Sequence, residues 1–159
     1  MKMCLRSLRQ FFEFALLLLA LSCVSGAQEK SYPILELHAQ GSKLFSDEEI
    51  VKATGLRVDT KEEISLTKVR EAAERLVDSG VFAEVNYQHT ALRNGMKVQF
   101  TVQDKPADQF VPTRLGNFVW WPENQLVSEL HSRLPLYGGR LPLGGSLADE
   151  VAAELENGD

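Results

Sequence analysis

The side chains able to do chemistry are few and scattered. His38, His89 and His131 stand far apart with no ligand spacing among them, whereas a metal centre needs several donors converging in a defined pattern. Asp47, Glu48, Glu49, Glu62 and Glu63 read as solvated faces and helix-dipole partners. None of them is tied to an apolar pocket that would mark a general acid. Ser46, Ser65 and Ser79 have no histidine placed near them by spacing, so no hydroxyl nucleophile with its base is legible. The run Gly138-Gly139-Arg140-Leu141-Pro142-Leu143-Gly144-Gly145 is glycine-rich but lacks the lysine followed by serine or threonine of a phosphate loop, and no strand leads into it. It reads as a flexible connection between helices. These residues predict no enzyme, no metal site and no cofactor. What remains is recognition through surface and backbone.

The elements that would present such a surface centre on Thr67 to Asp104. Leu66, Val69, Ala73, Leu76 and Val77 recur at helical spacing among charged residues. Ser65 or Thr67 can cap this helix, and Gly80 sits where a left-handed residue ends one. Val85, Tyr87 and His89 then alternate with Glu84, Asn86 and Gln88, and Met96, Val98, Phe100 and Val102 alternate with Lys97, Gln99, Thr101 and Gln103. Asn94-Gly95 between them is a strong hairpin signal. Upstream, Ile34 to Ala39 reads as a strand. Ser46 and Glu49 form a capping box, with Phe45 available to staple onto Ile50 or Val51, and Gly55 stops that helix. Leu56 to Glu63 reads as a polar connector. The expectation is an α+β unit of order β-α-α-β-β, a three-stranded sheet covered by two helices.

The chain is acidic overall, at −5, and its first 27 residues carry Lys2, Arg6 and Arg9 against Glu13, so the remainder is more acidic still. That excludes a basic surface for nucleic acid or for anionic lipid. Residues 1–27 read as an export signal: a positive start, an apolar core from Phe11 to Cys23, and small residues Val24-Ser25-Gly26-Ala27 for cleavage. The alternatives are a retained membrane anchor, or lipoprotein processing at Cys23, which has Ala20 where a leucine is expected. Cys4 and Cys23 both lie in this segment, so the exported part is expected to hold together by packing without disulfides.

Past the linker Lys105-Pro106-Ala107-Asp108-Gln109 a second unit is expected at 110–159. It has a strand over Arg114 to Trp121, Pro122 opening a helix with Leu126, Val127, Leu130 and Leu134 on one face, a loop over Pro135 to Gly145, and a helix with Leu147, Val151, Ala152 and Leu155. No hairpin follows, so this unit is expected to be incomplete, its helices lacking the sheet they should cover, and the chain to be a fragment, a truncated reading frame or the front of a longer protein.

The run Leu66-Thr67-Lys68-Val69-Arg70-Glu71-Ala72-Ala73-Glu74-Arg75-Leu76-Val77-Asp78-Ser79-Gly80-Val81-Phe82-Ala83-Glu84-Val85 resembles the core of a POTRA (polypeptide-transport-associated) domain. The resemblance extends over 33–105 as a first domain. Asn117-Phe118-Val119-Trp120 and Leu134-Pro135-Leu136-Tyr137 resemble parts of a second. It implies an exported periplasmic module of an outer-membrane assembly or two-partner secretion protein. The implied partners are unfolded outer-membrane polypeptides, assembly accessory proteins and an outer-membrane β-barrel that this chain does not contain. The implied mode is β-augmentation on the family's second strand, here Phe82, Ala83, Glu84, Val85, Asn86, Tyr87, Gln88, His89 and Thr90. Trp120 and Trp121 are further contact candidates at the junction of the two units. The alternative is a structural spacer ahead of the barrel that binds little.

Overall fold

The computed structural model describes residues 30–115 and 122–157. The export signal expected at 1–27 and the Trp120-Trp121 pair therefore lie outside the described residues. The elements run β1 (Ser31–Gln40), α1 (Asp47–Thr54), β2 (Asp59–Ser65), α2 (Leu66–Asp78), β3 (Phe82–Leu92), β4 (Gly95–Asp104), a 3-10 turn (Ala107–Gln109), β5 (Phe110–Pro112), α3 (Glu123–Arg133), β6 (Arg140–Pro142) and α4 (Leu147–Asn157). This is an α+β fold.

The local signals for the first two helices act as their chemistry requires. Ser46 accepts the Glu49 amide while the Glu49 carboxylate accepts the Ser46 amide at 2.7 Å, closing the capping box, and Gly55 ends α1 at φ 72°. Ser65 caps α2 by accepting the Lys68 amide. The buried stripe of α2 is Val69, Ala72, Ala73 and Leu76. Val77, at the margin of that stripe, is 52% exposed. Phe45 packs edge-to-face on Phe82, with ring centroids 6.0 Å apart, beside its expected role as a staple.

The three expected strands are present, and a fourth joins them. The sheet order is β2-β1-β4-β3, with β1 parallel to β4 and the other pairs antiparallel. The register sets apolar on apolar: Ile34 opposite Met96, Leu37 opposite Val98, Ala39 opposite Phe100, and Phe100 opposite Tyr87. The alternate side chains of β4 face away from the core, where Lys97 meets Glu36 at 2.9 Å and holds its carboxyl below the usual carboxylate range. One face of the sheet is thus covered by helices and the other is polar.

Two expectations need correction. The polar connector contains strand β2, paired with β1 from Ser31↔Ser65 to Ile34↔Asp59. Of its seven residues only Ile64 is buried, so an edge strand with no apolar alternation left nothing for periodicity to detect. In the second unit, a short strand at Phe110–Pro112 pairs with Arg140–Pro142, inside the stretch read as a loop, while the strand expected over Arg114 to Trp121 lies for the most part outside the described residues. The helix faces expected to lack a cover have one: Leu130, Leu136, Tyr137, Leu147 and Val151 are buried in the same apolar cluster as Ile34, Ile50, Leu76 and Phe100.

The seam between the end of α2 and the start of α4 is a backbone contact. Gly80 has φ +78°, and a Cβ there would lie 1.7 Å from the Gly144 oxygen, while a Cβ on Gly145 would lie 2.5 Å from Gly80 backbone. Ser146 donates its amide to the Asp78 carbonyl at 2.6 Å across the same seam. A Gly80→Ala change combines left-handed strain with this overlap and is expected to lower stability by about 3 kcal/mol. Urea unfolding monitored by circular dichroism measures it, and a loss under about 0.5 kcal/mol, the usual size of a neutral surface change, sinks the idea. Phe100→Ala, at a position with no exposed surface, is expected to cost about 3–5 kcal/mol in the same assay.

Candidate functional site

A sheet with two ends has two edges, and here they are chemically unlike. Strand β3 is hydrogen-bonded to β4 on one side and ends the sheet on the other. Its 11 residues, FAEVNYQHTAL, carry a single carboxylate, Glu84, and one histidine, His89. The opposite edge, β2, reads DTKEEIS and holds Asp59, Lys61, Glu62 and Glu63 within seven residues. Its pairing is also interrupted by an irregularity between Pro33 and Ile34. Charges and broken register are the devices by which sheet edges refuse another strand. Strand β3 lacks the first along most of its length.

The expected edge residues fall into three roles. Phe82 is 3% exposed and anchors the start of the strand against Phe45. Between Phe82 and Glu84 the register shifts, so Ala83 stands as an extra residue that bends the strand where it leaves the core. Val85 and Tyr87 are half-buried, lying opposite Val102 and Phe100, with the Tyr87 and Phe100 rings 6.3 Å apart. Ala83, Glu84, Asn86, Gln88, His89 and Thr90 are exposed. The Asn86 amide donates to the Glu84 carboxylate at 2.8 Å, which turns the strand's one negative charge toward its own neighbour. His89 lies opposite Val98 and is exposed. Physically, the strand is held at its Phe82 end and along β4, while alternate peptide groups of its free side have no strand partner.

The hairpin that supports this edge is built differently from the local signal. Leu92 pairs with Gly95, so the two-residue turn is Arg93-Asn94, and no non-glycine residue among those described has a positive φ. The mirror-type turn that Asn94-Gly95 would suggest is therefore not used. Gly95 is needed for a different reason: a Cβ there would lie 2.4 Å from the Pro33 oxygen and 2.8 Å from Leu35 Cγ. The glycine lets β1 close onto the start of β4.

A cleft of about 250 Å³ lies between α1, α2 and the second unit, lined by Lys52, Arg75, Arg133, Leu136, Leu147 and Glu150 among others. Its cations have partners in the protein. Lys52 donates to the Ser132 carbonyl, Arg75 donates to the Thr54 carbonyl at 2.6 Å, and Arg133 pairs with Glu129 and Glu154 at 3.1 and 3.3 Å. They join elements to one another. Among the described residues no group of three or more His, Cys, Asp or Glu is placed to hold a metal ion, and no helix is long and apolar enough to cross a membrane.

Sequence reading missed two features of this region. The charged β2 edge was invisible because it was read as a connector. The contact of His131 Nε2 with Glu49 Oε1, at 2.8 Å, joins residues too far apart in the chain for any local pattern to signal it.

No family model matches the chain, and no curated protein matches it. Among solved structures it is similar to POTRA1-3 of the periplasmic domain of Omp85 from Anabaena, at 18% identity and a TM-score of 0.46, covering 82% of this chain and 51% of that one. It is similar to POTRA1-2 of the same periplasmic domain at 18% identity and 0.47, covering 82% and 79%. The N-terminal domain of Omp85 from the thermophilic cyanobacterium Thermosynechococcus elongatus aligns at 20% identity and 0.45, covering 82% and 50%. The chain spans about half the length of the first of these similar structures.

Proposed function

We propose that this chain is a non-catalytic interaction module of the POTRA type, exported to the periplasm and acting in outer-membrane protein assembly, and that it receives extended polypeptides by strand addition to β3. The observation that carries the reading is the contrast between its two sheet edges: 11 residues with one carboxylate on β3, against four charges in seven residues on β2. An incoming chain gains main-chain hydrogen bonds along β3 with little demand on its sequence, which suits a partner recognised while unfolded. Further support comes from the run Leu76 to Val85, where α2 ends at Asp78, the left-handed Gly80 turns the chain and Phe82 opens the strand, as in the POTRA pattern. The strand β2 inserted between the two helices departs from the β-α-α-β-β order and lies on the far edge from β3.

In this reading residues 1–27 are the export signal, 33–105 form the first POTRA domain, and 110–159 belong to a second. The barrel is a partner in the sense of the longer protein or complex that such modules precede. Trp120 and Trp121, outside the described residues, are proposed as further contact residues of the module.

The test is a titration of the isotope-labelled chain with an unfolded, strand-forming amphipathic peptide, followed by amide signals. The expected changes are confined to 82–90 and the facing residues of β4. Asn86→Lys together with Gln88→Lys, which places charge on the exposed side chains of this edge, is expected to weaken binding several-fold, while Thr60→Lys on β2 leaves it unchanged. Changes centred on 59–65 would refute the choice of edge. No change at any peptide concentration would refute binding and leave the spacer role.

A further inference from the structure

We propose that His131 is a proton-operated latch between α3 and the first turn of α1, closed when its imidazole carries two protons. The ring has an acceptor on each side. Nδ1 lies 2.8 Å from the Tyr137 carbonyl oxygen, which can only accept, so Nδ1 carries a hydrogen. Nε2 lies 2.8 Å from Glu49 Oε1. The other oxygen of that carboxylate accepts both the Ser46 amide, at 2.7 Å, and the Ser46 hydroxyl, at 2.8 Å. These two bonds, and His131 after them, hold the Glu49 carboxyl below the usual carboxylate range, so Glu49 is an ionised acceptor. Two acceptors facing two ring nitrogens require two protons. A neutral ring that keeps its bond to Tyr137 would turn the Nε2 lone pair onto a carboxylate oxygen at hydrogen-bond distance, which is repulsive.

The charged groups around the ring lie on three elements. Asp47, Glu48 and Glu49 make the first turn of α1 acidic. One turn on, Lys52 donates to the Ser132 carbonyl. On α3, Glu129 is paired with Arg133, which also reaches Glu154 of α4, so these charges are engaged with one another. His131 lies in the last turn of α3, where a cation meets the negative end of the helix dipole.

The working window follows from the two groups. Glu49 has a lowered folded value, so its contribution is present above the ordinary carboxylate range and is lost as pH falls through that lowered value. The imidazolium contribution is present while the ring holds both protons and is lost when Nε2 gives its proton up. The latch is therefore closed while the ring is doubly protonated and opens as rising pH removes the second proton. The apolar contacts of Leu130, Leu136 and Tyr137 lie in the shared core and persist, so opening loosens the end of α3 against α1 without unfolding either.

The experiment follows the isotope-labelled full chain by NMR from pH 5.5 to 8.5. The amide signals of 46–50 and of 130–137 are expected to move together along the curve on which the His131 ring loses its proton. The neutral ring is expected to keep its hydrogen on Nδ1, read from the ring nitrogen shifts. Glu49→Gln keeps a side chain able to complete the capping box and removes the charge, and His131→Gln removes the titrating group; in each the concerted movement is expected to vanish. In the His131→Gln chain the carboxyl carbon of Glu49 is expected to titrate at higher pH than in the parent. The proposal is overturned if the two sets of amides stay still while the ring titrates, if the movement survives in Glu49→Gln, or if the neutral ring carries its hydrogen on Nε2.

Discussion

The structure depends on β4 having neighbours on both sides and a lid on one face. Met96, Val98, Phe100 and Val102 are each buried to within a few per cent. They can be so only if β1 and β3 flank the strand and α1 and α2 lie over it. Parallel pairing of β1 with β4 follows from chain economy: the chain must cross back over the sheet between them, and α1, β2, α2 and β3 fill that crossing. Gly95 admits β1 to the start of β4, because any side chain there would strike Pro33 and Leu35. Remove that approach and the register that sets Ile34, Leu37 and Ala39 against β4 is lost.

The buried residues of the second unit belong to the same apolar cluster as those of the first. Tyr137 has no exposed surface, and Leu130, Leu147 and Val151 are buried with the residues of the first unit. The seam at Gly80 and Gly145 brings backbone against backbone, where no side chain can act as a spacer. Polar ties across the same region, from Lys52 to Ser132 and from Ser146 to Asp78, are directional and fix the angle that apolar contact alone would leave free.

What could be read from the residues was what is encoded within a few positions. The Ser46 and Glu49 capping box, the Ser65 cap, the left-handed glycines at 55 and 80, and the alternation of β4 each need only near neighbours. Strand β3 was legible for the same reason. Three kinds of feature were not legible. Strand β2 has a polar edge pattern that resembles a connector. Strands β5 and β6 are three residues each, too short for any period to show. The roles of Gly95 and His131 are set by partners that only tertiary packing brings near, so a glycine read as a turn former serves a close approach, and a histidine read as isolated meets a carboxylate.

The unlike edges have a consequence for assembly of the chain with itself. A sheet that is receptive on both sides can add copies head to tail without limit, which is the geometry of a fibre. Here the β2 side, with Asp59, Lys61, Glu62 and Glu63, is closed to a neighbour. Two copies adding strands through this sheet as proposed would meet β3 to β3, about a two-fold axis, and that arrangement uses both β3 edges at once. With strand addition at β3 as proposed, the unlike edges favour a closed pair over an endless sheet.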